Sequence, residues 1–219
     1  MSDMTSYHTN CLHFNGYKPC EKSTQCQGCA QYKPAGASVL LVHLGAIGAV
    51  VRSTSLLAGI HHKYPNSQIT WVTEQSCVGL LKNHPRLHRV LTLAPADLIQ
   101  LEALSFDVII VVDKSLTAVA IADKVEFRQS LNNIKAQRYG FKCNPQTGAI
   151  LPATESANEL WQLGLNNDLK FFKNQKSEVQ LMYEAFELIK RGEAQSLSRT
   201  EILNEYDLPL SPQESELTR

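Results

Sequence analysis

From Ser38 onward the chain alternates short apolar runs with amphipathic stretches. "SVLLVHL" (38–44) is almost continuously aliphatic, the pattern of a parallel strand covered on both faces. Gly45 and Gly48 then bracket a tight turn, and "AVVRSTSLLAGIHHKY" (49–64) reads as one helix closed by Pro65-Asn66. The pattern repeats. "QITWVTE" (68–74) is a second strand, and "VGLLKNH" (78–84) a short helix ending before Pro85. "RVLTL" (89–93) is a third strand, followed by the helix "ADLIQLEAL" (96–104). "FDVIIVVD" (106–113) is a fourth, followed by the helix "SLTAVAIADKV" (115–125), and "AQRYGF" (136–141) a fifth. Strands separated by helices imply an α/β fold, a Rossmann-like doubly wound parallel sheet with right-handed crossovers.

The rhythm changes after residue 145. "GAILPATESANELWQLGL" (148–165) predicts an extended piece and then a helix capped by Thr154. "SEVQLMYEAFELIKRG" (177–192) predicts an amphipathic helix with Ser177 at its N-cap and Gly192 at its stop. Three parts are expected: an arm over 1–37, a Rossmann-like domain over 38–195, and a linker-like tail over 196–219 that carries two prolines. Trp71, Trp161, Phe171 and Phe172 are expected in the core or at a domain interface.

The 219 residues carry 21 basic and 21 acidic side chains, so there is no general pull toward nucleic acid. No apolar run reaches the ~18 residues of a membrane span, and the N-terminus lacks a signal peptide's apolar core. A soluble cytoplasmic protein is the expectation.

Four of the six cysteines crowd the arm, spaced Cys11-x8-Cys20-x5-Cys26-x2-Cys29. Four thiolates suit a tetrahedral structural zinc, and a segment with so few apolar residues would draw its folding energy from the metal. An iron–sulfur cluster and unligated thiols are the alternatives, and His8 and His13 are substitute ligands.

The glycine turn lets backbone approach a ligand at a helix start, although such turns also serve only to reverse the chain. Arg52, Ser53 and Thr54 open the helix and are candidates for a phosphate or sugar hydroxyl. Glu74 and the pair Asp113-Lys114 end their strands on the edge where open sheets bind ligands. For Asp113 the competing role is an N-cap of the next helix. His61 and His62 end a helix, where its dipole accounts for them. No Gly-x-Gly-x-x-Gly fingerprint is present, which disfavours a generic dinucleotide binder.

The ordered set "VLLVHLGAIGAVVRSTSLLAGIHHKYPNSQITWVTE", "NHPRLHRVLTL", "FDVIIVVDKSLTAVAIA", "RYGFKCNPQTGAILPATESANELWQLGL" and "FKNQKSEVQLMYEAFEL" resembles the family 9 glycosyltransferases, the heptosyltransferase-like enzymes of lipopolysaccharide core assembly. The cysteine arm resembles one found in a subset of that family. The resemblance runs from about residue 11 to residue 210. It implies the N-terminal, acceptor-binding half of a GT-B fold, in which a second Rossmann-like domain holds a nucleotide diphosphate sugar. It further implies inverting transfer of a heptose or related sugar with no catalytic metal. A glycolipid or glycan acceptor, and peripheral contact with the inner face of the inner membrane, belong to the same implication.

Two departures qualify this. The family's turn reads Gly-Ala-(Leu/Ile)-Gly-Asp with the aspartate as base, and the matching position is Ala49. Asp113 is the candidate substitute. The chain also stops where "EYDLPLSP" resembles the linker to the donor domain. The expectation is therefore a protein inactive alone that works with a separately encoded donor domain. The alternative is a catalytically dead interaction module using the fold and the zinc arm as a binding platform.

Overall fold

The computed structural model describes residues 7–127 and 136–189, together with Tyr206 and Leu208. Gly192 and almost all of the 196–219 tail lie outside the described residues.

The core of the sheet is β1 (Ser38–Val42), β2 (Gln68–Val72) and β5 (Val108–Val111). β3 (Arg89–Leu91), β7 (Gln137–Cys143) and β8 (Ile150–Pro152) complete six strands in the order β3-β2-β1-β5-β7-β8. The first five pair in parallel, and β8 closes the edge antiparallel to β7. The fold class is α/β, as the alternating pattern implies.

The two faces divide by side-chain parity. Val39 and Leu41 of β1, Ile69 and Trp71 of β2, and Val108 and Ile110 of β5 enter one core. Leu40, Val42, Val72, Ile109 and Val111 enter the other. Strands apolar at every position thus reflect a sheet covered on both sides. The first core is covered by α2 (Leu56–Lys63) and α7 (Glu178–Ala185), the second by α5 (Leu116–Lys124). Trp71 is wholly buried, in keeping with the core expectation.

The stretch 49–64 is two helices rather than one. α1 (Ile47–Ser53) stops at Thr54 and α2 begins at Leu56. The hydroxyls of Thr54 and Ser55 donate to the carbonyls of Val51 and Arg52, both at 2.7 Å. Such local bonds compete with the helical ladder and break it here. Short elements between the main strands are α3 (Val78–Leu81), α4 (Pro95–Glu102) and α6 (Asn158–Gln162). β4 (Ser105–Phe106) and β6 (Glu126–Phe127) form a separate two-residue parallel pair.

Helix α7 begins as predicted, with the Ser177 hydroxyl accepting the Gln180 amide. It ends earlier than predicted, at Ala185, where Glu187 adopts φ 53°. Tyr183 anchors it, donating to Ser55 O at 2.6 Å, and Glu184 and Glu159 share Lys176 at 2.7 and 2.8 Å. Thr154 precedes the turn at Glu155–Ala157 but caps nothing with its side chain, bonding Ser156 instead. Phe171 and Phe172 stay out of the core. They lie on a π turn (Leu169–Lys173) and are 64% and 82% exposed.

Candidate functional site

In an open α/β sheet, ligands bind beyond the carboxyl ends of the strands where the winding reverses. The order β3-β2-β1-β5-β7 puts that reversal between β1 and β5. The Gly45–Gly48 turn leaves β1 there, and Asp113 leaves β5 beside it.

Leu44 ties these ends together. Its amide donates to Asp113 Oδ2 at 2.5 Å. Its carbonyl accepts the Glu74 amide at 2.8 Å and the Thr73 hydroxyl at 3.1 Å. Glu74 and Asp113 therefore flank the turn from opposite sides. Glu74 is also close to the turn itself: a methyl placed on Gly45 would stand 3.3 Å from Glu74 Oε2.

Behind the turn runs a buried polar chain that the sequence did not announce. Asp113 Oδ1 lies 3.5 Å from His43 Nε2, and His43 Nδ1 lies 2.7 Å from Ser53 Oγ. An Nε2–H tautomer fits these partners, its N–H facing the carboxylate and Nδ1 facing the serine hydroxyl. The order resembles a nucleophilic triad, but Ser53 is 1% exposed beneath Met182, and no substrate reaches its oxygen. The chain instead orients Asp113. Burial pushes the His43 pKa down, against the opposing pull of Asp113, so the ring folds neutral.

That shift has a sign. An unfolded histidine takes a proton as the pH falls past about 6.5, while folded His43 resists it. Between the two pKa values the unfolded chain binds more protons, so stability declines with acidification. His88, lowered by burial and by Arg89, acts in the same direction. Urea unfolding followed from pH 7.5 to 5 should show the midpoint falling below about pH 6.5, with a shallower decline in His43→Gln. A pH-independent midpoint would contradict the buried neutral ring.

The other expected site residues separate into two groups. Gly45, Gly48, Glu74 and Asp113 share the strand edge. Ser53 and Thr54 are buried within the fold. Arg52 is engaged by Glu178 at 2.6 Å and by Gly48 O at 3.1 Å. Lys114 turns away toward α6, donating to Leu160 O at 2.6 Å over the ring of Phe141. Asp113 is not a helix cap: Ser115 takes that role, accepting the Ala118 amide. The amides of Ala49 and Val50 both donate to Ala46 O, at 2.8 and 3.0 Å, so the turn's own carbonyl satisfies them. Ala49 is half-buried and puts a methyl where a base was expected, and Ile47 is 51% exposed on the turn. His61 and His62 lie in the last turn of α2, as expected, and His61 also bonds Arg86 O and Ser67.

In the arm, Cys11, Cys20, Cys26 and Cys29 line one small cavity that His8 and His13 also border. No helix among the described residues is long and apolar enough to cross a membrane.

No family model and no curated protein matches the chain. Several solved structures resemble it. E. coli ADP-heptose LPS heptosyltransferase II is 17% identical over 83% of this chain and 49% of its own, with a TM-score of 0.48. E. coli heptosyltransferase WaaC with ADP is 17% identical over 77% of this chain and 50% of its own, at 0.47. A glycosyl transferase family 9 structure from Veillonella parvula is 16% identical over 42% of this chain and 30% of its own, at 0.37. The chain spans half or less of the length of these structures, and the likeness is one of fold.

Proposed function

We propose that this chain is the acceptor-side half of a heptosyltransferase-like glycosyltransferase and that it transfers no sugar alone. The observation that carries this reading is the pair of carboxylates, Glu74 and Asp113, set on either side of an open glycine turn at the β1/β5 reversal. Carboxylates accept hydrogen bonds from sugar hydroxyls, and a short apolar turn lets a ring approach the main chain. Asp113, held by Leu44 and His43, keeps a second lone pair on each oxygen and can accept a hydrogen bond from an acceptor hydroxyl. The donor, a nucleotide diphosphate sugar, would come from a separate domain. The acceptor would be a glycolipid or glycan of the cell surface, met at the cytoplasmic side of the membrane.

The second reading, an interaction module, draws on the apolar lip of the turn, where Ile47 is half exposed and Ala49 lacks a base. One experiment separates them. Purified protein with ADP-heptose and heptose-deficient lipopolysaccharide should form no product, while calorimetry should detect acceptor binding that weakens in Glu74→Gln. Turnover well above the enzyme-free control would overturn the inactive-alone reading. Absence of acceptor binding would favour the interaction module.

A further inference from the structure

We infer that Cys11, Cys20, Cys26 and Cys29 hold one zinc ion as a tetrathiolate, locking the arm onto the leading edge of the sheet. The four cysteines are spread over 19 positions of a loop-rich segment, yet all four border the same cavity. Its volume is about 20 Å³, room for a single water-sized sphere, which suits an ion and nothing larger. All four are free thiols and partly accessible, so none is consumed in a disulfide or in the core.

The backbone is already arranged around the sulfurs. The Lys22 amide points at Cys20 Sγ at 3.4 Å, the N–H to sulfur contact that stabilises a thiolate ligand. The Cys29 amide donates to Cys26 O at 3.1 Å, closing the Cys-x2-Cys turn, and both cysteines border the cavity. Cys11 is fixed by its bridge to Pro34, with Leu12 N to Lys33 O and Ala35 N to Asn10 O, both 2.8 Å. Zinc with four thiolates carries two net negative charges, and Lys22 borders the cavity to offset them.

Among the described residues no three of these ligand types are yet closed into a coordination sphere, so binding completes by side-chain rotation about the cavity. Each thiol gives up its proton as its Zn–S bond forms. The histidines are the weaker candidates. The ring of His8 packs on Tyr32 with centroids 4.5 Å apart, which holds it to a neighbour rather than to the ion.

The consequence is positional. Gly36 lies at the end of the arm, its amide donating to Asn66 O at 2.9 Å, and β1 begins two residues later. A methyl at Gly36 would meet the Asn66 carbonyl carbon at 2.9 Å, so the chain enters β1 through a tight passage. A metal-closed arm therefore fixes the start of the strand that ends at the candidate site.

Protein expressed without added metal and passed through chelator-free columns should carry about one zinc per chain. A mercurial should release it as four thiols react. Cobalt exchanged into the site should give the visible bands and near-ultraviolet thiolate charge transfer of a tetrahedral tetrathiolate centre. Cys29→Ser should lose the zinc, and His8→Ala and His13→Ala should keep it. The body's core lies beyond residue 36, so cooperative unfolding of Cys29→Ser shows that the domain survives. Iron with its own chromophore, cobalt that gives no thiolate charge transfer, or zinc lost on removing either histidine would overturn the assignment.

Discussion

Replacing Gly140 by alanine should remove about 2–5 kcal/mol of folding stability, a large share of the ~5–15 kcal/mol typical of a domain. Gly140 lies inside β7 with φ +84°, in the left-handed region that a side chain resists by about 1–2 kcal/mol. Its Cα faces the neighbouring strand. A methyl there would overlap the carbonyl oxygen of Val111, stand 2.9 Å from the Val111 carbonyl carbon, and crowd Phe186 at 3.1 Å. Neither main-chain atom can swing aside, so β5 and β7 must part. The glycine marks where pairing changes hand: it pairs with Val111 in parallel, and its own carbonyl accepts the Ala153 amide beyond β8. Urea unfolding should show the midpoint fall, or the variant should fail to fold. Gly79→Ala is the control. Gly79 is the exposed position of α3, a methyl there meets nothing within 4 Å, and helix propensity should gain roughly 0.5–1 kcal/mol. Equal midpoints for the two variants would show that β7 tolerates displacement from β5.

Restoring a carboxylate at position 49 should raise sugar transfer by at least ~100-fold once a donor domain is supplied. Ala49 is the third residue of α1, whose first turn holds no acidic residue. An aspartate there meets a favourable dipole worth ~0.3–1 kcal/mol, so Ala49→Asp should leave stability unchanged or slightly raised. The measurement needs two fusions of a heptosyltransferase donor domain after Pro212, with and without the substitution. Activity confined to the aspartate form identifies a lost general base. Equal activity in both would assign the proton to Asp113, which His43 and Leu44 already hold in place. Inactivity of both well-folded fusions would turn the proposal toward the interaction module.

Much of this architecture can be read from the sequence because its strands are buried on both faces. Runs such as "VLLV" (39–42) and "VIIV" (108–111) have no polar position to confuse the reading. The split between α1 and α2 is less legible, since Arg52 to Ser55 fit either a continuous helix or a break. The pairing of β4 with β6 escapes entirely, for two residues have no period. At the site, the glycine turn, Glu74 and Asp113 were visible as strand-end residues. His43 was not, because it ends an apolar run and reads as part of it. One signal was available: a histidine closing one strand, an aspartate closing another, and a serine one helix away. What no pattern could supply is the direction of side chains. Lys114 follows Asp113 at a strand end and Thr54 follows the turn in sequence, yet one reaches α6 and the other is buried.

The bond pattern at Leu44 gives the site a ruler. Glu74 leaves β2 on one side of β1, and Asp113 leaves β5 on the other, one tied to the carbonyl and one to the amide of Leu44. Adjacent strands lie about 4.8 Å apart, so the main chains at these two carboxylates stand roughly two strand spacings, about 10 Å, from one another. That span belongs to the sheet and not to the turn. Substitutions between Gly45 and Ala49 can change what chemistry lies between the carboxylates while leaving the gauge of the gap untouched. A turn that loses its acid, or regains one, does so in a frame whose width stays the same.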